Sequence, residues 1–258
     1  MTVRHDPSTF RRRLATGEKL VGTFIKTPTG HAVEIFGALA YDFVVLDEEH
    51  APFDRGAIDQ AVVAARAAGI AALVRVASAT PSNLMSVLDC GATGVLVPHV
   101  ASVESARAVA AACRYRGGNR GFSNSPRAGD YGGLGMWEHV DRCDAITTVV
   151  AQIEDPQALD QVDAIARVEG IDALFIGRGD LAVAMGAKGS DAPEVRDAAA
   201  RIAAAGKAAG KPVMVFTGGA ADATAMRKLG ASAFVVSSDQ GLMRQAAAKA
   251  LADLGSID

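Results

Sequence analysis

Eight short apolar runs, spaced between longer alanine-rich stretches, restrict this chain more than any other feature. They cover residues 20–26 (LVGTFIK), 43–47 (FVVLD), 72–76 (ALVRV), 94–98 (GVLVP), 148–153 (TVVAQI), 173–177 (ALFIG), 212–216 (PVMVF) and 233–237 (AFVVS). Nearly unbroken apolar runs of this length are what strands buried on both faces look like. Helical periodicity fills the intervals, for example at 58–68, 81–90, 102–114, 156–167, 193–209 and 221–229. Thr80-Pro81 and Asp155-Pro156 each set a capping residue before a proline at the first helical position. Gly91, Gly210 and Gly230 stand where helices should stop. Strand–helix alternation repeated eight times over 258 residues predicts a single-domain α/β protein, a (β/α)8 TIM barrel spanning 1–258. The rival, an open doubly wound sheet, commonly opens on a GxGxxG turn, and GTFIKTPTG is not one.

Composition narrows the partners. Half of the residues are hydrophobic and 21% are charged, which excludes a disordered chain. With 26 basic and 29 acidic residues no basic face is expected, so neither nucleic acid nor an anionic membrane surface is a natural partner. No run of about 18 apolar residues exists to span a bilayer. The opening MTVRHDPSTFRRRL lacks the apolar centre of a signal peptide. Cys90, Cys113 and Cys143 are odd in number and form no CxxC pair, arguing against a disulfide framework or a thiolate zinc site. The expectation is a soluble, cytoplasmic protein large enough to bury a substantial core. The Gly-, Arg- and Ser-rich segment 115–144, the longest excursion, is expected to cover the barrel mouth after the fourth strand.

In a barrel, chemistry gathers at the carboxyl ends of the strands. Those positions hold Lys26, Asp47-Glu48-Glu49-His50, Arg75, His99, Gln152, Glu154, Arg178-Gly179-Asp180 and Asp239. Glu154 and Asp180, on neighbouring strands, suit a hard divalent cation; the alternative is that each caps the following helix, Asp180 at a helix starting at Leu181. His50 is the candidate general base, with Asp47 three residues earlier to orient its ring, against the reading of an exposed loop histidine. Arg75 interrupts an apolar strand and must meet an anion, either a substrate or a strand-end acid. His99 has no acid near it in sequence and reads as pocket lining. The Gly177–Asp180 segment offers free amides for a carboxylate. Lys26 could form a Schiff base if desolvated, but with no sequence neighbour to tune it the reading is a snorkelling side chain or a contact to substrate charge.

The stretches YDFVVLDEEHAPFD (41–54), LVRV (73–76), LDCGATGVLVPHV (88–100), RYRGGNRGFS (114–123), AQIEDPQALD (151–160) and VEGIDALFIGRGDLAVAMG (168–186) together resemble the HpcH/HpaI family of class II pyruvate aldolases. The resemblance implies a (β/α)8 fold and a homo-oligomer, a hexamer built as a trimer of dimers that exchange the C-terminal helix. It implies reversible cleavage of 4-hydroxy-2-oxo acids to pyruvate and an aldehyde, with a divalent cation (Mg²⁺, Mn²⁺ or Co²⁺). By motif, Glu154 and Asp180 correspond to the metal ligands, His50 with Asp47 to the base, and Arg75 to the residue facing the keto oxygen. Gln152 falls in the pyruvate pocket, and the Gly179 and Asp180 amides correspond to those receiving its carboxylate. Arg178-Gly179 departs from the Pro-Ala common at that place and is expected to affect acceptor choice. The alternatives are a Schiff-base aldolase using Lys26, a CoA-thioester lyase of the citrate lyase beta type, and a non-catalytic pyruvate-binding barrel.

Overall fold

A computed structural model describes residues 6–255 of the chain. Among the described residues there are eight strands: β1 (Leu20–Ile25), β2 (Phe43–Asp47), β3 (Ala71–Arg75), β4 (Gly94–Val97), β5 (Thr148–Ile153), β6 (Ala173–Ile176), β7 (Val213–Thr217) and β8 (Ala233–Ser238). Each pairs in parallel with its successor, and β8 pairs with β1 to close the barrel. The helices are α1 (Phe10–Ala15), α2 (Gly30–Ala38), α3 (Arg55–Ala68), α4 (Pro81–Asp89), α5 (Val103–Cys113), α6 (Met136–Ile146), α7 (Val162–Ala166), α8 (Arg178–Ala184), α9 (Pro193–Ala208), α10 (Ala220–Leu229) and α11 (Asp239–Leu254). The predicted TIM barrel is present. Gly91, Gly210 and Gly230 carry left-handed backbone after α4, α9 and α10, as their positions predicted.

Strand periodicity sorts the core into two layers. Inside the barrel sit Phe24, Phe43, Val45, Leu73, Leu96, Val150, Phe175, Met214 and Val235, with Phe10 and Leu14 of α1 in the same cluster. The alternate residues, such as Val44, Leu46, Val74, Val95, Ala151 and Ile176, pack outward against the helices. Burial of a side chain the size of Leu46 or Phe43, both 0% exposed, contributes roughly 1.5–3 kcal/mol. The inner layer needs one thin strand: a Cβ at Gly22 would stand 2.5 Å from the Phe43 ring.

Two expectations fail here. The predicted helix over 156–167 is divided into a 3-10 segment (Pro156–Gln161) and the short α7. Asp155 makes no capping hydrogen bond there; its carboxylate instead lies 3.1 Å from His99 Nδ1. Nor does segment 115–144 cover the mouth. It joins α5 to β5, and a helix following a strand carries the chain back to the amino end of the barrel. Its anchors at that end are Arg127, which donates to the Cys90 carbonyl at 3.1 Å, and Arg120, which bonds Asp89 at 2.8 Å. The four-residue capping turns that the prolines announced do form at Thr80, whose hydroxyl accepts the Asn83 amide. Among the described residues no helix is long and apolar enough to cross a membrane.

Candidate active site

The same alternation that fills the barrel also builds the site. Continuing each inward row by two residues takes Phe24 to Lys26, Val45 to Asp47, Leu73 to Arg75, Val150 to Gln152 and Glu154, and Phe175 to Gly177. The top layer of the barrel is therefore polar where the layers beneath are apolar. A cavity of about 540 Å³ opens there, with Lys26, Arg75, Gln152, Gly179 and Asp180 among its walls.

Asp47 and Arg75 are register partners on β2 and β3. Arg75 donates from Nε to Asp47 Oδ1 at 2.9 Å and from Nη2 to Oδ2 at 2.8 Å. Lys26 Nζ lies 3.0 Å from the same Oδ2, and the His50 amide donates to Oδ1 at 3.2 Å. Burial pushes the Asp47 carboxyl up, but the hydrogen bonds and charge of Arg75, with Lys26 and the His50 amide, outweigh it and hold the group below its ordinary value. A planar, fork-like pair of this kind fixes Arg75 in one orientation, and the guanidinium also stacks over Phe24 at 4.5 Å.

Lys26 was expected to lack an acid; Asp47 supplies one from the neighbouring strand. Its ammonium serves as a cation there, whereas a Schiff base requires a free amine. His50 is placed at the end of β2, but Asp47 holds its backbone amide, and the ring instead faces Glu49, with Nε2 3.7 Å from Oε2. The expected Asp47–ring bond is absent because Arg75 and Lys26 already occupy the carboxylate.

Glu154 lies 2% exposed, just beyond β5. It accepts the His99 amide at 2.8 Å and a hydrogen bond from Gln152 Nε2. Burial raises its carboxyl to about 7, against the opposing pull of the His99 amide and Gln152. Gly177 makes this position possible: a Cβ there would stand 2.5 Å from Glu154 Cβ. Gln152 Oε1 is buried and accepts no hydrogen bond, and Glu49 Oε2, also without one, lies 3.4 Å from Arg75 Nε. An unsatisfied buried oxygen beside a carboxylate that resists carrying its charge unaided fits a bound cation.

Asp180 is not a cap. α8 starts at Arg178, with Gly177 before it and no side-chain cap, so Asp180 sits in the first turn. Its charge acts on Glu154. Arg178 is not a free cation at the mouth. It is buried and donates to the Phe216 carbonyl and to Asp222 at 2.6 Å, tying the end of β6 to β7 and α10. Sequence reading undervalued Glu49 and His99. Their ligating atoms, with one from Glu154, all lie within 4.8 Å of one another. The missing signal was spatial: three acids surround His99, and none is near it in sequence. Asp155 next to Glu154, one strand over, was the available hint.

A parallel eight-stranded barrel with cationic and carboxylate groups convergent at its carboxyl rim defines a TIM-barrel enzyme. Residues 20–246 match the HpcH/HpaI aldolase/citrate lyase family. A 5-keto-4-deoxy-D-glucarate aldolase of Citrobacter koseri is 35% identical over 249 residues, 96% of each chain. One of Escherichia coli is 34% identical over the same length and shares. An HpcH/HpaI aldolase/citrate lyase family protein of Burkholderia cenocepacia superposes with a TM-score of 0.91 at 30% identity, covering 96% of this chain and 100% of that one. An HpcH/HpaI aldolase of Desulfitobacterium hafniense gives 0.90 at 26% identity, covering 96% and 97%. The chain belongs to the HpcH/HpaI family and is a lyase of the aldolase type. Class II aldolases of this kind use a divalent metal, and the carboxylate-rich rim is where these residues could hold one.

Proposed function

We propose that this aldolase reversibly cleaves 4-hydroxy-2-oxo acids to pyruvate and an aldehyde. Glu154 and Asp180 would hold the cation (Mg²⁺, Mn²⁺ or Co²⁺), which when bound supplies Lewis-acid polarisation of the C2 carbonyl. Arg75, locked by Asp47, donates to the keto oxygen and stabilises negative charge as it develops there. Gln152 lines the pyruvate end of the cavity. The amides of Gly179 and Asp180, in the uncapped first turn of α8, receive the pyruvate carboxylate. His50 removes the C4 hydroxyl proton; the C3–C4 bond then breaks, the aldehyde departs, and C3 is protonated to give pyruvate. Asp47 contributes by orienting Arg75 and the His50 backbone.

The single observation that carries this reading is the buried Asp47–Arg75 fork, directed into the same cavity as Gln152 and Asp180. The dicarboxylate 5-keto-4-deoxy-D-glucarate, named for the relatives, is the first substrate to try. The test is a retro-aldol screen over several 4-hydroxy-2-oxo acids with and without Mg²⁺, Mn²⁺ and Co²⁺, together with pyruvate C3 proton exchange. Metal-dependent turnover and exchange are expected. EDTA-resistant turnover with borohydride trapping of pyruvate would instead assign the chemistry to Lys26.

The exposed apolar residues Met243, Leu251 and Leu254 of α11 support exchange of this helix between protomers in a hexamer. Light scattering should then give six chains, and fewer on deleting 239–258. Three buried, unpaired cysteines support a reducing, cytoplasmic setting.

A further inference from the structure

Successive side chains of a regular strand face opposite ways, so two adjacent residues do not both line the mouth of a barrel. The end of β8 breaks this rule: Ser237 and Ser238 are both walls of the rim cavity. The cause is in the register. Gly22 of β1 pairs with Val235, but Phe24, two residues on, pairs with Ser238, three residues on. β8 thus holds one extra residue, a bulge, and bulges re-aim side chains next to active sites. Ser237 sits in it with a φ of +56°, a left-handed conformation that is costly for any residue with a Cβ. The surroundings hold it there. The buried Thr23 hydroxyl donates to the Val236 carbonyl at 2.9 Å, and Gly241 leaves room, since a Cβ on it would stand 2.6 Å from Ser237 Oγ. Ser238 is committed to α11, where its hydroxyl accepts the Gly241 amide.

Lys26 stands beside this bulge, because β1 is the neighbour of β8. Its ammonium carries three N–H groups, and Asp47 Oδ2 at 3.0 Å accounts for one. Lys26 lines the same cavity as Ser237. Two other carboxylates of that cavity are already answered by Arg178, which donates to Asp222 at 2.6 Å and to Asp191 at 3.3 Å. Arg75, Gln152 and Asp180 mark the pyruvate end. The β8–β1 lip therefore offers what that end does not need: an ammonium with spare donors and a hydroxyl held in place by a strained backbone.

We propose that Lys26 and Ser237 form the subsite for the aldehyde half of the substrate, and that this half bears a carboxylate and a hydroxyl. Lys26 pairs with the carboxylate and Ser237 hydrogen-bonds the hydroxyl. The inference rests on the aldolase reading above and names its substrate class: hydroxylated, dicarboxylic 4-hydroxy-2-oxo acids, in preference to those whose aldehyde half is uncharged.

Three substrates separate the two contacts. The aldehyde half of 5-keto-4-deoxy-D-glucarate carries a hydroxyl and a carboxylate, that of 4-hydroxy-2-oxoheptanedioate a carboxylate alone, and that of 4-hydroxy-2-oxopentanoate neither. The kcat/KM for each is measured with Mn²⁺ on the full-length wild type, Lys26→Met, Lys26→Arg and Ser237→Gly, alongside thermal melts and wild-type pyruvate C3 exchange. Lys26→Met is expected to cut the preference for either dicarboxylate over the pentanoate by roughly 10–100-fold, as for loss of a charged hydrogen bond; Lys26→Arg should keep most of it. A ratio between substrates is insensitive to a uniform loss caused by disturbing Asp47. Ser237→Gly suits the left-handed backbone, so the melting temperature should hold or rise, while the preference for the glucarate over the heptanedioate falls roughly 3–10-fold. A wild type that cleaves the pentanoate as well as the dicarboxylates overturns the proposal without any variant. Normal C3 exchange with an unchanged dicarboxylate preference in Lys26→Met, or an unchanged glucarate preference in Ser237→Gly, overturns the subsite and leaves the aldolase reading standing. No exchange and no cleavage of any of the three sinks both.

Discussion

The two ends of the barrel use the same residue types to opposite effect. At the amino end, cations and anions are matched. Arg13 bonds Glu18 and Asp42, Arg11 and Arg114 share Asp172, and Arg120 takes Asp89. Several of these groups also hold backbone: Asp172 accepts the Val149 amide, Asp42 the Val21 amide, and Arg114 donates to the Thr147 carbonyl at 2.6 Å. At the carboxyl end the pairing is unequal. Asp47 has two cations, while Glu154 has amide donors and the imidazole of His99. Matched charges staple loops to strands; a surplus of each sign, held a few ångströms apart, is what a bound ion and an anionic substrate can complete.

Substitutions at each end can break this contrast. Arg75→Ala should lower both C–C cleavage and pyruvate C3 exchange by about 10²–10³-fold, measured by proton exchange in deuterated buffer; near-normal exchange would remove Arg75 from charge stabilisation. Glu154→Ala should weaken Mn²⁺ binding by more than about 100-fold with little loss of melting temperature, read by calorimetry. At the opposite end, Arg114→Ala should cost about 3 kcal/mol of stability, because it leaves Asp172 short of a partner in a mostly buried site, while the metal affinity stays as in the wild type. If Arg114→Ala instead weakened metal binding, the ends would not be independent.

A smaller effect concerns Arg178 and acid. Burial raises the Asp222 carboxyl, but the hydrogen bond from Arg178, the Gly218 amide and the Arg178 charge outweigh it and set the group below its ordinary value. A depressed carboxyl contributes stability above its unfolded value, near pH 4, and loses it as pH falls through the lower folded value. Melts from about pH 5 down to about pH 2, which bracket the ordinary carboxyl value near 4 and the lower folded one, should therefore show a shallower acid limb for Arg178→Met than for the wild type. Least of all, Cys113, whose thiol burial pushes up to about 12, should resist iodoacetamide in the folded protein and react on unfolding.

Much of this was legible because periodicity two and periodicity 3.6 are written in the apolar residues themselves. The run 148–153 coincides with β5, and 72–76 is displaced by one residue from β3. The strand-end rule then located Asp47, Arg75, Gln152 and Glu154, since a row of inward residues extends past the last apolar one. What escaped were relations between strands. Lys26 and Asp47 are 21 positions apart and meet only because β1 and β2 are neighbours. His99 and Asp155 depend on β4 lying beside β5 and on a left-handed residue that no local pattern announced. The site of 115–144 was misread for a topological reason: position after a strand is not position above it once a helix intervenes.

Asp239 ties the terminal helix to the site. It is the first residue of α11, and its carboxylate accepts the Lys26 amide at 2.8 Å and the Thr27 amide at 3.1 Å. The root of the terminal helix is thus knotted to the lip of the catalytic mouth. Any shift of the helix root is therefore felt at the backbone of the lysine that shares Asp47. The position of the terminal helix and the innermost charges of the pocket are thereby joined through a single carboxylate.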